Sequence, residues 1–289
     1  MLTLREWFDN GRYFDFNGHR VFYQHANPEK PRALLLLHGF PTASWDWHAL
    51  WEELALEFQL IAPDFLGFGY SDKPPRHDYR ITGQADLVLA LLQALGIDQY
   101  HLLAHDYGDS VAQELLAREQ ASEAPLRLQS LLLLNGGLFP ETHRPRPVQQ
   151  LLLSPIGPWL TPFLSRTTLR RNFSQIFGPG TQPKPHEIDE WWSLIQYHNG
   201  RAVFHRLIRY MQERIELRER WVPPLEAPPV MVRLIVGEAD PISGGHMADH
   251  YRKLVKAPDV KLLPGIGHYP QTESPKAVLE YCWDFWEGL

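Results

Sequence analysis

The chain has 289 residues, of which 44% are hydrophobic, and its formal net charge is -6. That length is enough for one large α/β core with an insertion. Because the net charge is negative and no run of like charges occurs, we expect no nucleic acid and no membrane among its partners, and a small apolar substrate instead.

The cysteine content and the N-terminal residues bear on the compartment. Cys282 is the single cysteine, which excludes an internal disulfide and fits a reducing environment. The first seven residues lack an apolar stretch behind a basic head, and no segment approaches about 18 uninterrupted apolar residues. We therefore expect a cytoplasmic protein and leave a homodimer open. The histidines show no ligand spacing with acids or with Cys282, so we expect no metal and no other cofactor.

The apolar pattern predicts a mostly parallel sheet. Residues 11–26 alternate around an Asn-Gly turn, which predicts an antiparallel hairpin. Apolar runs without alternation are typical of strands covered on both faces, and five follow: 33–37, 60–63, 101–104, 128–134 and 230–236. Helical patterns accompany them at 50–58, 81–95, 111–118 and 276–286. Strands that alternate with helices predict a doubly wound α/β fold.

The segment 138–229, called the cap below, breaks this alternation. It is rich in Pro, Arg and Trp, it has helical patches near 148–153 and 187–220, and prolines cluster at both of its ends. We therefore predict an α/β core formed by residues 1–137 and 230–289, with a helical cap inserted at 138–229.

One turn fixes the expected chemistry. The apolar strand 101–104 runs into Ala104-His105-Asp106-Tyr107-Gly108, a turn of the form small-x-acid-x-small. Such a strand-to-helix turn lifts its central side chain above the sheet. A serine there becomes acylated, whereas a carboxylate attacks an sp3 carbon and becomes alkylated. Asp106 is therefore the predicted nucleophile.

Two further residues at strand ends complete a predicted catalytic triad. Asp240 follows the strand 230–236, and His268 lies in a later Gly-Ile-Gly-His run. The order of nucleophile, acid and histidine is typical of the α/β-hydrolase fold and differs from that of other triad folds.

The loop after the strand 33–37 predicts an oxyanion hole. It reads His38-Gly39-Phe40-Pro41, and the backbone N-H groups of Phe40 and of Tyr107 are the predicted donors. Two interpretations of His38 stay open: it helps to bind the substrate, or it braces its own loop by hydrogen bonding.

Several motifs carry a family resemblance, namely 37–42, 64–69, 71–74, 105–109 and 135–145. They resemble α/β hydrolases of the epoxide hydrolase and haloalkane dehalogenase group, and most closely the mesoderm-specific transcript protein family. The resemblance covers nearly the whole chain. It implies the fold and the triad and leaves the substrate open.

A carboxylate nucleophile implies an alkyl-enzyme ester, and the leaving group then distinguishes the substrates. An epoxide needs proton donation to its opening oxygen, commonly from two tyrosines of the cap. The cap contains Tyr197 and Tyr210. Tyr210 resembles the second such tyrosine of epoxide hydrolases, although core packing is an equal interpretation, and no tyrosine occurs early in the cap. His143 is a candidate acid there, or a hinge residue.

A halide instead needs two N-H donors, typically indoles, one of them directly after the nucleophile. That position is Tyr107, and Phe40 replaces an amide donor of some dehalogenases. Trp191, with Trp159 and Trp192, could supply an indole from the cap or could simply pack. We therefore expect epoxide hydrolysis, with haloalkane dehalogenation as the alternative. A hydrolase-like protein that binds a small ligand without turnover is the alternative of another class.

Overall fold

One eight-stranded sheet carries the core of the computed structural model, which describes residues 2–288. Met1 and Leu289, which belong to the predicted core and, for Met1, to the N-terminal segment considered above, lie outside the described residues. The strands are β1 Arg12–Phe16, β2 His19–Ala26, β3 Ala33–Leu37, β4 Gln59–Pro63, β5 Gln99–His105, β6 Arg127–Leu134, β7 Met231–Gly237 and β8 Asp259–Leu263.

The sheet has the order β1-β2-β4-β3-β5-β6-β7-β8. β2 pairs with β1 and with β4 in antiparallel fashion, and every later pair is parallel. Strands β3, β4 and β5 are almost wholly buried because helices cover both faces of the sheet. The predicted fold class, a mostly parallel sheet between helices, is confirmed.

Helices fill the remainder of the fold. In chain order they are α1 Leu4–Asn10, α2 His48–Leu54, α3 Ile81–Ala94, α4 Tyr107–Gln120, α5 Pro147–Leu153, α6 Gly157–Leu160, α7 Arg166–Phe173, α8 Pro185–Gln196, α9 Phe204–Leu207, α10 Tyr210–Glu216, α11 Arg218–Trp221, α12 Pro223–Glu226, α13 Gly245–Leu254, α14 Pro270–Glu273 and α15 Pro275–Trp286. Proline begins α5, α8 and α15, where its missing N-H leaves no helical bond unmade. Within residues 2–288, no helix has the length and apolarity that crossing a bilayer requires.

The chain between β6 and β7 is helical and rests on the core. It holds α5 to α12, and no strand occurs among its described residues. Buried side-chain bonds join it to the core; for example, Trp191 Nε1 donates to Asp46 Oδ1 at 3.1 Å, and Trp221 Nε1 donates to Glu114 Oε2 at 2.8 Å. Because a buried acceptor oxygen that loses a donor is costly, these bonds hold the cap against the core.

Candidate active site

The turn after β5 presents Asp106 at the carboxyl edge of the sheet. Asp106 has φ 46° and ψ -99°, a conformation that non-glycine residues rarely adopt. A β-carbon on Gly108 would lie 2.4 Å from the carbonyl oxygen of Leu37, so only glycine lets α4 start this close to β3. The side chain of Asp106 is buried beneath the cap, with the residue 4% exposed. This is the strand-to-helix geometry predicted for the nucleophile.

The two oxygens of the Asp106 carboxylate have different surroundings. The backbone N-H of Phe40 donates to Oδ2 at 3.1 Å. Tyr107 is the first residue of α4, so its N-H has no acceptor within the helix. Oδ1 lies 3.7 Å from Nη2 of Arg214 on the cap side. Oδ2 therefore lies at the predicted oxyanion hole, and Oδ1 is the oxygen that faces the cap.

Asp240 and His268 form a buried pair. Nδ1 of His268 donates to Oδ2 of Asp240 at 2.8 Å. Asp240 also accepts hydrogen bonds from Nδ2 of Asn135 at 3.0 Å and from the backbone N-H of Ile242 at 2.8 Å. Burial opposes the ionisation of Asp240, but the charge of His268 and these donors hold the pKa of Asp240 below its ordinary value. Asp240 is thus an ionised carboxylate that orients the imidazole.

His268 carries a proton in the resting site. Burial alone would lower its pKa, but the charge and the hydrogen bond of Asp240, followed by the charge of Asp106, raise the pKa of His268 to about 9. The backbone of His268 is also fixed, because Nε2 of His105 donates to its carbonyl oxygen at 2.7 Å. Burial lowers the pKa of His105 to about 4, so His105 is neutral. Proximity and charge therefore couple the three predicted triad residues.

His38 is surrounded by backbone groups. Nδ1 lies 2.9 Å from the carbonyl oxygen of Gly39, and Nε2 accepts the backbone N-H of Phe65 at 3.1 Å. Burial lowers the pKa of His38 to about 3, so the ring is neutral and donates through Nδ1. With both nitrogens engaged, the ring braces its loop, which was the second of the two interpretations of His38.

Tyr210 lies at the nucleophile. Its ring centroid is 5.0 Å from that of Tyr107 and 6.2 Å from that of Phe40. The hydroxyl is buried and makes no hydrogen bond of good geometry among the described residues, although the Arg214 guanidinium lies close enough to favour its ionised form. Burial, and then the charge of Asp106, raise the pKa of Tyr210, so the phenol stays protonated at neutral pH. A buried and protonated hydroxyl beside a carboxylate is suited to donate a proton.

The structure separates the other two candidate acids. The Tyr197 ring packs on Tyr70 at 5.0 Å and lies 5.3 Å from Nζ of Lys73, contacts that do not bring it to Asp106. In contrast, His143 has both ring nitrogens buried without a partner among the described residues. Burial, followed by the positive charge of Arg214, lowers the pKa of His143 to about 4. His143 is therefore a further neutral imidazole, close to Arg214.

The contacts of the three candidate indoles of the cap are with residues other than Asp106. Trp191 donates its N-H to Asp46, and its ring packs 5.1 Å from that of Phe173. Trp159 is 77% exposed. Trp192 packs against the guanidinium of Arg201 at 5.5 Å. Packing and anchoring account for these contacts.

A buried arginine is the site residue that the sequence did not reveal. Arg214, on α10, donates through Nη2 to the carbonyl oxygen of Asp106 at 2.9 Å and through Nε to Oγ of Ser110 at 2.7 Å. Its guanidinium lies 4.5 Å from the Tyr210 ring centroid. The spacing of four residues from Tyr210 places both on one helix face, which was the available signal. That spacing alone does not single out Arg214 among the arginines of the cap.

An apolar cavity of about 60 Å³ lies between the cap and the Phe40 loop. Phe40 forms part of its wall while the Phe40 N-H donates to Asp106, so Phe40 stands between the cavity and Asp106. The apolar lining residues include Phe40, Leu152, Leu164, Leu169, Trp192, Ile195 and Phe204. Such a wall suits a small apolar group of a substrate.

No group of three or more His, Cys, Asp or Glu side chains suited to a metal ion occurs in the part of the chain that the structure describes. The ionisable residues at the carboxyl edge are instead arranged as a triad with an arginine and a tyrosine above it. Acidic residues and a histidine are the groups that hydrolytic sites use.

The fold, with acidic residues and a histidine at the carboxyl edge of its sheet, indicates the class of protein. Comparison with known proteins agrees. Residues 32–275 match the model of the alpha/beta hydrolase fold family, to which the chain therefore belongs. The chain is 42% identical to the mesoderm-specific transcript homolog protein of Bos taurus, over 96% of this chain and 86% of the relative.

Two solved structures are similar in fold. One is the haloalkane dehalogenase DbeA from Bradyrhizobium elkani, with a TM-score of 0.80, 22% identity and coverage of 96% of this chain and 97% of that chain. The other is the epoxide hydrolase CorEH, with a TM-score of 0.76, 21% identity and coverage of 96% and 98%. At these identities the likeness establishes the fold alone.

Proposed function

We propose that the protein hydrolyses epoxides through an ester formed on Asp106. The observation that carries this proposal is the unequal environment of the carboxylate: the N-H of Phe40 holds Oδ2, while Oδ1 faces the cap. An ionised Asp106 needs no base to attack an sp3 carbon, because its reaction requires only a free oxygen and an oriented electrophile.

In the first step, Oδ1 of Asp106 bonds to an epoxide carbon and the bond from that carbon to the ring oxygen breaks. The departing oxygen takes the proton of the Tyr210 hydroxyl. That hydroxyl is buried and protonated, which supports this role. The product is an alkyl ester of Asp106 with a free hydroxyl, together with a Tyr210 phenolate.

Alkylation also prepares the base for the second step. The charge of Asp106 is one of the causes that raise the pKa of His268. Forming the ester removes that charge, so the pKa of His268 falls, the imidazolium releases its proton to solvent, and the neutral imidazole becomes able to accept one from water. Its Nδ1 stays bonded to Asp240, which leaves Nε2 for water.

In the second step, His268 takes a proton from water and the hydroxide adds to the ester carbon of Asp106. The N-H groups of Phe40 and Tyr107 stabilise the oxyanion at Oδ2. The intermediate collapses, the diol oxygen leaves with the proton held by His268, and the proton remaining on Asp106 restores the phenol of Tyr210. As the charge of Asp106 returns, His268 takes back from solvent the proton that it released. Epoxide and water are consumed and one diol is formed.

Haloalkane dehalogenation is the weaker candidate. Leaving-group stabilisation by two indoles would need free N-H donors at the carboxylate, and the N-H of Trp191 is bonded to Asp46. The position after the nucleophile holds Tyr107, whose side chain is a phenol. These contacts favour an oxygen leaving group over a halide.

His268→Ala tests the proposal, because it removes the base of the second step and keeps the nucleophile. Intact-protein mass spectrometry after incubation with isopropyloxirane is expected to show one added epoxide, located on the peptide that carries Asp106. The wild-type enzyme is expected to turn the same compound over without accumulating the adduct.

His186→Ala is the matched control, because His186 is exposed on α8; it should behave as the wild type does. Asp106→Asn combined with His268→Ala should carry no adduct. An unmodified Asp106 peptide in His268→Ala, across a panel of epoxides, would contradict the covalent mechanism.

A further inference from the structure

One donor of the site has no part in the mechanism above. Arg214 is buried, with its side chain 2% exposed. Nε and Nη2 have acceptors, but Nη1 is buried without a partner among the described residues. Because a buried guanidinium is costly when its N-H groups are unpaired, Nη1 is expected to bind an acceptor that a ligand brings.

His143 offers a second donor at the same place. A β-carbon on Gly137 would lie 2.3 Å from Nη1 of Arg214 and 2.8 Å from Nδ1 of His143. Because Gly137 has no side chain, Nη1 of Arg214 and Nδ1 of His143 both pack against its backbone, which brings the two nitrogens close together. Both ring nitrogens of His143 lack partners, and since its lowered pKa makes the ring neutral, one nitrogen carries a proton to donate.

The position of Arg214 relates it to the attacking oxygen of Asp106. A displacement at carbon proceeds in line, so the leaving group departs on the side opposite to the attacking oxygen. Nη2 of Arg214 lies only 3.7 Å from Oδ1 of Asp106, so the guanidinium flanks the attacking oxygen. A group held there is a substituent next to the attacked carbon.

We propose that Arg214 and His143 form a subsite for the oxygen of a carbonyl group, where that group is bonded to the attacked carbon. On this basis, which rests on the proposed function, the preferred substrates are epoxides that carry a carboxamide or carboxylate on the ring. The carbonyl oxygen accepts hydrogen bonds from Nη1 of Arg214 and from His143, while Oδ1 of Asp106 attacks the adjacent ring carbon. The departing ring oxygen takes its proton from Tyr210, as in the proposed function.

Three epoxides of similar shape test the subsite: glycidamide, glycidate and isopropyloxirane, in which an isopropyl group replaces the planar carbonyl group. After correction for the reactivity of each epoxide toward a free carboxylate, kcat/KM of the wild type should be at least about tenfold higher for glycidamide and glycidate than for isopropyloxirane, because the apolar analogue leaves both donors unpaired. Arg214→Met should abolish this preference mainly through a higher KM for the two carbonyl compounds.

The other variants separate binding from general damage. His143→Phe should reduce the preference in the same direction, and His143→Gln, which keeps an N-H donor, should restore part of it. Arg209→Met changes an exposed arginine just before α10 and should leave all three values unchanged. If Arg214→Met and His143→Phe each slow the three epoxides by equal factors, these residues only position Asp106, and the subsite is wrong.

A binding measurement makes the outcome independent of turnover. Propionamide cannot react, and calorimetry should detect its binding to the wild type and not to Arg214→Met or His143→Phe. If the wild type neither turns over an epoxide nor forms the His268→Ala adduct, yet propionamide binding depends on Arg214, the proposed reaction fails and the carbonyl subsite stands. If propionamide binds equally to wild type and both variants, the subsite fails whatever the reaction.

Discussion

Nη2 of Arg214 donates a 2.9 Å hydrogen bond to the backbone carbonyl oxygen of Asp106. The same oxygen accepts the backbone N-H of Asp109 at 3.2 Å, which is a bond of the first turn of α4. A guanidinium is a stronger donor than a backbone amide. The cap therefore stabilises the backbone of the turn, whose positive φ at Asp106 is otherwise unfavourable.

The hydroxyl of Tyr210 can be removed without creating a large cavity. In Tyr210→Phe we expect the rate of ester formation with epoxides to fall by about 10²- to 10³-fold, because the opening oxygen loses its proton donor. The free energy of unfolding should stay within about 0.5 kcal/mol of the wild type, since the hydroxyl has no hydrogen bond of good geometry to lose. Single-turnover kinetics and urea unfolding measure the two quantities.

Tyr197→Phe is the matched control for that substitution. Its ring packs on Tyr70, outside the contacts of Asp106, so ester formation should be unchanged. An equal loss of rate in both variants would remove Tyr210 from the role of acid.

Asp109 is buried three residues after Asp106, and its oxygens make no hydrogen bond of good geometry among the described residues, although the backbone at Leu134 and Gly136 lies close to them. Burial, and then the charge of Asp106, raise its pKa well above the ordinary value. The wild type therefore loses stability as pH rises above about 4, where Asp109 ionises in the unfolded chain but stays protonated in the fold, by about 1.4 kcal/mol per unit of pKa shift. Asp109→Asn lacks this penalty.

We expect Asp109→Asn to be more stable than the wild type at neutral pH and equally stable below about pH 4. Urea unfolding at a series of pH values measures the difference. Asp98→Asn, at an exposed position, should stay within about 0.5 kcal/mol of the wild type throughout. A gain for Asp109→Asn that is the same at every pH would mean that the carboxyl is ionised in the fold.

The His268–Asp240 pair should make stability depend on pH at the alkaline end of the range. The pKa of His268 is raised to about 9 in the fold, from an ordinary 6.5. Its contribution is then fully present below about pH 6.5 and is lost as pH rises through about 9, a change of about 3 kcal/mol. The difference in unfolding free energy between wild type and His268→Gln should shrink by that amount between about pH 6 and pH 10. A constant difference would mean that the imidazole is neutral in the resting site.

Most of the sheet could be predicted because its central strands are apolar throughout. Strand β3 was predicted with its observed bounds, and β4, β5, β6 and β7 within two residues or so. Strand β8 was missed: it lies at the sheet edge and is only partly buried, so Asp259 and Lys261 interrupt its apolar pattern. Helix α1 was also missed, although Thr3 and Glu6 form a capping box at its start.

The site was predictable where the backbone sets the position. In an α/β-hydrolase fold the predicted triad residues follow the ends of strands, as Asp106, Asp240 and His268 do in this chain. The cap offers no such rule, because several helices could present a polar side chain downward. Consequently Arg214 was overlooked, and Tyr197 was considered beside Tyr210 although the fold separates them.

The cap anchors also bear on how a substrate arrives. Trp191 on Asp46 and Trp221 on Glu114 are buried bonds at separate points of the cap, and Arg214 adds a third beside the nucleophile itself. Swinging the whole cap away would break all three at once and would release the turn of Asp106. Rotation of individual side chains would cost fewer bonds than opening the whole cap, and Phe40, which stands between the apolar cavity and Asp106, is the residue to turn.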